Sequence, residues 1–204
     1  SIDCYGSEFD VWLSTDGVLF VNHDAVFKGH NVEQSSSAEL SAIILDNGEH
    51  MPTLDEYLAK AKTLKTRIVL ELKAHQTKEK EAEAVAKIVE MVEKYGLTDR
   101  TEYISFSLFA CKEFKRVAPQ GTDIYYLNGE LSPAELKTLG FAGLDYSMGP
   151  IKKHPEWIEE AHKLGLKVNV WTIDKEADMQ WLIDQKVDFI TTNEPVLLQQ
   201  LLRK

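Results

Sequence analysis

Strand-like and helix-like segments alternate along this chain without a break, and that alternation limits its fold more than any other feature. Short runs rich in Ile, Val, Phe and Tyr fall at Ser7–Leu13, Arg67–Leu72, Tyr103–Phe106, Asp123–Leu127, Gly143–Tyr146, Lys167–Thr172 and Phe189–Thr192. Continuous apolar runs of this kind suit strands covered on both faces. The segments between them carry helix signals. Thr53 and Glu56 have capping-box spacing ahead of Tyr57, Leu58, Ala61 and Leu64. Val85, Ile88, Val89, Val92 and Tyr95 make one apolar stripe that stops at Gly96, a helix-ending residue. Ser132-Pro133-Ala134-Glu135 joins an N-cap, a proline at the first helical position and a capping glutamate, with Gly140 as the stop. Further helices are expected after Pro155, Asp174 and Pro195, and Ser35-Ser36-Ser37 reads as a loop feeding an N-cap. Repeated βα units require a parallel sheet. Seven such strands favour a (β/α)8 TIM barrel over an open sheet, with the first β/α unit absent from the chain and the whole forming one domain over 1–204.

The segment GSEFDVWLSTDGVLFVNHD, residues 6–24, carries the chemistry. Glu8 and Asp10 are two apart on a strand, so both side chains point to one face. Asp16-Gly17 between apolar runs signals a tight hairpin. A two-residue turn there pairs Thr15 with Val18 and sets Asp10 opposite His23. Two acids and an imidazole then converge, as a divalent cation with an acid/base group beside it requires. Glu71 and Lys73 repeat the i, i+2 arrangement at the next strand end. Alone, that pair reads equally well as a surface ion pair. With Glu8 and Asp10 on the neighbouring strand it reads as part of an oxygen-rich site for Mg²⁺ or Ca²⁺. His75 continues the alternation and could reach the mouth of the barrel, though a solvated loop residue is the better reading, and Trp12 is expected to pack under the hairpin.

These motifs, with LELK at 70–73, ISFS at 104–107, VNVWT at 168–172 and DFITTNEP at 188–195, resemble the glycerophosphodiester phosphodiesterase family over nearly the whole chain. The resemblance implies a metal site of Glu8, Asp10 and Glu71, catalytic roles for His23 and Lys73, and substrate contacts from Lys73 and Trp171. For Trp171, core packing is nearly as good a reading, and Phe106, Tyr126 and Tyr146 share that ambiguity. The reaction implied is metal-dependent hydrolysis of a glycerophosphodiester to glycerol 3-phosphate and an alcohol. Family members usually open with a strand ending in His-Arg-Gly. This chain starts at Ser1-Ile2-Asp3, directly before the Glu8 strand, and none of His30, His50, His75, His154 or His162 sits in a matching context. A strand upstream of Ser1, carrying a second histidine, is the expectation. Two alternatives remain: a sphingomyelinase D-like or phosphoinositide-cleaving enzyme on the same barrel, and a catalytically silent phosphate-binding barrel.

Composition narrows the partners. A formal net charge of −10 argues against nucleic acid, whose phosphates demand a basic surface. It also means that an anionic substrate needs a local cation. No apolar run reaches the roughly 18 residues of a membrane helix. Cytoplasm and periplasm both stay open. Cys4 and Cys111 lack metal-ligand spacing and read as small thiols.

Overall fold

The computed structural model describes residues 4–203. The chain forms two compact units, one of residues 5–122 and one of Cys4 with residues 123–203.

In the first unit, β1 (Gly6–Leu13) lies parallel to β5 (Arg67–Leu72), and β5 lies parallel to β6 (Thr101–Ser105). The other edge of β1 pairs antiparallel with β2 (Leu19–Val21). Between β2 and helix α2 (Leu54–Ala61) the chain makes a small insertion: a two-stranded ribbon of β3 (Val26–Phe27) and β4 (His30–Asn31), then α1 (Ser37–Ser41). Trp12, Phe20, Val32, Leu40, Ile43 and Met51 form a buried cluster that fastens the insertion to the hairpin, so Trp12 packs as expected. The other helices are α3 (Lys78–Tyr95) and α4 (Leu108–Val117). The α3 stripe buries Val85, Ile88, Val89 and Val92, each a side chain whose removal from water stabilises by about 1.5–3 kcal/mol. Gly96 ends that helix in the left-handed region at φ 68°, where a β-carbon is unfavourable. The Thr53–Glu56 capping box forms with both reciprocal bonds.

The second unit places β7 (Ile124–Tyr126), β8 (Gly143–Ser147), β9 (Lys167–Trp171) and β10 (Phe189–Ile190) side by side in that order. The pairs β7–β8, β8–β9 and β9–β10 are all parallel. The intervening helices are α5 (Pro133–Leu139), α6 (Met148–Lys153), α7 (Glu156–Lys163) and α8 (Glu176–Asp184), with α9 (Pro195–Leu201) last. Ser132 and Glu135 close their capping box, and Gly140 ends α5 at φ 73°. The architecture is α/β, built from the parallel βα repeats of the (β/α)8 class. Strand limits differ from expectation by a few residues, and β6 starts at Thr101 and stops before Phe106, which is 38% exposed. Cys111 is buried and Cys4 half-buried, with no disulfide between them.

The hairpin register is one residue off the sequence expectation. Val11 pairs with Val21, Trp12 with Phe20 and Leu13 with Leu19. The loop is closed by the Ser14 N–H on the Val18 carbonyl at 2.9 Å, leaving three loop residues with Gly17 at φ 79°. Side chains explain the choice. Ser14 Oγ donates to Asp16 at 2.7 Å and accepts the Val18 N–H at 2.9 Å. Asp16 also takes the Ser37 N–H at 2.9 Å and the Ser37 hydroxyl at 2.6 Å. Those bonds hold the Asp16 carboxyl at a pKa of about 2, its largest cause being the Ser37 hydroxyl. Local side-chain bonding thus overrides the two-residue turn. In consequence Asp10 stands opposite Asn22, whose N–H reaches the Asp10 carbonyl at 3.1 Å, and His23 does not face Asp10.

Candidate metal centre

Parallel pairing of β1 with β5 sets Asp10 beside Glu71, with Glu8 two residues earlier on the same face as Asp10. Ligand oxygens of Glu8, Asp10 and Glu71 all lie within 4.8 Å of one another. Oxygens that share a Mg²⁺ or Ca²⁺ at about 2.0–2.6 Å are separated by up to about 5 Å, so this spacing accommodates one cation. Asp10 and Glu71 are buried and Glu8 is exposed, which leaves the group an open side.

Lys73 follows the last residue of β5. Its Nζ lies 3.1 Å from Asp10 Oδ1 and 2.9 Å from Glu71 Oε1. Glu71 Oε1 is buried and meets that ammonium as an ion pair. A buried carboxylate needs such a positive partner. Burial pushes the Glu71 carboxyl above its usual range; the Lys73 ammonium opposes this and Asp10 adds to it. For Lys73, burial works against the charged form, but Glu71 and Asp10 outweigh it and raise the ammonium pKa. One ammonium against three carboxylates leaves the site short of positive charge. An oxygen-only, under-compensated set suits a hard divalent cation.

His23 lies outside this cluster. Its side chain is 78% exposed, with Nδ1 2.8 Å from Asp24 Oδ1. Trp171 belongs to the second unit, at the end of β9, where Nε1 donates to the Asp145 carbonyl at 3.0 Å. Other strand-end polar residues are hydrogen-bonded within the chain. Ser105 donates to the Leu72 carbonyl, and Ser107 caps α4 while donating to Glu81. Tyr126 meets Glu130 and Tyr146 meets the Leu131 carbonyl. Asn193 and Thr192 both bond Asp174.

His75 differs most from its sequence reading. It is not a solvated loop residue: Nε2 accepts the Leu13 N–H at 2.9 Å, Nδ1 meets the Lys73 carbonyl at 2.7 Å, and the ring packs near Trp12. Burial lowers its pKa below the ordinary 6.5; the Lys73 carbonyl, Glu33 and Glu81 oppose this and Lys80 adds to it. The fold therefore favours neutral His75. Its contribution to stability is complete above about pH 6.5 and is lost as pH falls below that value, because the unfolded chain then binds the proton more readily. Urea unfolding at pH 7.5 and pH 5.5 should show this loss, and His75→Gln should reduce it.

Carboxylates and a lysine grouped on parallel βα repeats suit the handling of phosphate esters. The glycerophosphoryl diester phosphodiesterase family matches residues 6–197, and the chain belongs to that family. Its members are phosphoric diester hydrolases, and the chain is an enzyme of that class. A crystal structure of a glycerophosphodiester phosphodiesterase from Parabacteroides distasonis is 48% identical with a TM-score of 0.95, over 98% of this chain and 84% of that one. A curated glycerophosphodiester phosphodiesterase of Caldanaerobacter subterraneus subsp. tengcongensis is 27% identical over 98% of this chain and 86% of its own length. A phosphodiesterase of Oleispira antarctica, solved with its product sn-glycerol-3-phosphate, shares the fold at 24% identity and a TM-score of 0.81, covering 97% of this chain and 84% of that one.

Proposed function

We propose that the protein hydrolyses glycerophosphodiesters to glycerol 3-phosphate and an alcohol, using Mg²⁺ or Ca²⁺ held by Glu8, Asp10 and Glu71. The observation that supports this reading is the convergence of three carboxylates, two of them in contact with the Lys73 ammonium. When bound, the cation supplies Lewis-acid polarisation of the phosphoryl group and a lowered pKa for the attacking oxygen. Lys73 binds a phosphate oxygen as a point charge and offsets the negative field of the acids. His23 exchanges a proton with a displaced oxygen at Nε2. A hydrogen bond from Nδ1 to Asp24 favours the tautomer whose Nε2 is free to accept. Support for His23 and for a substrate contact from Trp171 is the family resemblance. We take residues 6–197, the span of the family match, as one catalytic module. Among the described residues no helix is long and apolar enough to cross a membrane.

The test is release of sn-glycerol 3-phosphate from a panel of glycerophosphodiesters before and after chelation. Turnover should fall by at least about 100-fold on metal removal and return with one of the two cations. Activity that survives thorough chelation would refute the metal assignment. Cleavage of intact sphingomyelin or phosphoinositide in preference to glycerophosphodiesters would move the substrate to the lipid-cleaving alternative.

A further inference from the structure

We propose that His75 is a positioning residue for Lys73; the proposal rests on the reading of Lys73 as the phosphate-binding group. The β5 ladder stops at Leu72, and Lys73 is the first residue beyond it. A residue past the end of a ladder ordinarily has one free side. Here the Lys73 N–H still reaches the Val11 carbonyl at 3.1 Å, and its own carbonyl is taken by His75 Nδ1 at 2.7 Å. The opposite ring nitrogen accepts the Leu13 N–H at 2.9 Å. A backbone N–H only donates and a carbonyl only accepts, so the two bonds fix a neutral ring with its proton on Nδ1. The imidazole thereby bridges β1 and the Lys73 peptide at the point where β1 turns away into its hairpin.

The ring is itself held from behind. The His75 N–H donates to Glu81 at 3.1 Å, and that buried carboxylate also takes the Ser107 hydroxyl at 2.7 Å. The next peptide N–H, that of Gln76, donates to Glu33 at 2.9 Å, and Lys80 Nζ donates to the Glu33 carbonyl at 2.8 Å. Lys73, His75 and Gln76, beyond the end of β5, are thus each held by hydrogen bonds. This matters for Lys73 because a lysine side chain is a flexible point charge with about 2 kcal/mol of rotamer entropy. Fixing its peptide adds to the contacts with Asp10 and Glu71 that direct the ammonium. The carboxylates of Glu8, Asp10 and Glu71 stand on paired strands and do not need the clamp. His75 should therefore govern anion binding and not cation binding.

Two variants separate the ring's two bonds. In His75→Asn the amide nitrogen overlays Nδ1 and keeps the bond to the Lys73 carbonyl. In His75→Gln the amide reaches the Nε2 position, keeps the Leu13 bond and loses the Lys73 clamp. Calorimetric titration with Mg²⁺ alone, then with sn-glycerol 3-phosphate at saturating Mg²⁺, reads the two functions apart. Mg²⁺ affinity should stay at the wild-type value in both. Affinity for sn-glycerol 3-phosphate should fall at least about tenfold in His75→Gln, with KM rising more than kcat falls, and should be largely retained in His75→Asn. Equal effects of the two variants, or parallel loss of both ligands, would show a purely structural histidine and overturn the proposal. A wild-type protein that binds Mg²⁺ but not sn-glycerol 3-phosphate would instead remove the reading of Lys73, and this inference with it.

Discussion

Glu71→Gln should cost at least about 100-fold in kcat/KM and in Mg²⁺ affinity while changing folding stability by no more than about 1 kcal/mol. The two effects separate because the carboxylate is poorly placed for stability. It is buried, and burial with the neighbouring Asp10 raises its pKa. An amide of the same shape removes that repulsion. It leaves Lys73 its second partner, Asp10, at 3.1 Å. What it cannot supply is the negative charge a hard cation requires. Melting curves, a Mg²⁺ titration and turnover on one preparation would check all three parts. A variant that unfolds far below the wild type would mean that Glu71 holds the fold, and its place in a cation site would lose its main support.

The site was legible in the sequence wherever strand periodicity alone fixes direction. Glu8 and Asp10 share a face because they are two apart, and parallel pairing of adjacent βα units sets Asp10 beside Glu71. Helix ends were legible for the same local reason: Thr53 with Glu56, Ser132 with Glu135, and Gly96 need only their own few neighbours. The hairpin register failed because Ser14 and Asp16 side-chain bonds close a three-residue loop, reinforced by Ser37 bonds to Asp16 from 21 residues along the chain. His75 escaped for a similar reason. Its spacing from Lys73 was visible, but the Leu13 N–H that the ring satisfies is 62 residues away in sequence. The insertion between β2 and α2 carries short ribbon strands of two residues each, too short for any periodic signal.

In the second unit, Gly143→Ala should be the most damaging single methyl. A β-carbon at Gly143 would lie 1.9 Å from the Lys167 carbonyl oxygen and 2.7 Å from its carbonyl carbon and nitrogen. These are backbone atoms of the paired strand, since Gly143 and Lys167 are register partners of β8 and β9. A flexible side chain could swing aside; a strand backbone can yield only by breaking the pairing. The next register pair, Leu144 with Val168, is fully buried, so β8 cannot retreat without opening the core. The loss should be about 3 kcal/mol or more, or roughly 6–12 °C in melting temperature for a chain of this size. Gly149→Ala provides the contrast six residues further on. No atom lies within 4 Å of a β-carbon there, and the residue is in α6, where alanine is the better helix former. Its substitution should be neutral or stabilising by up to about 1 kcal/mol. The two single variants therefore share one chemical change and differ only in what the new methyl meets. Equal melting temperatures for both would show that β8 and β9 do not approach as closely as their Gly143–Lys167 pairing requires.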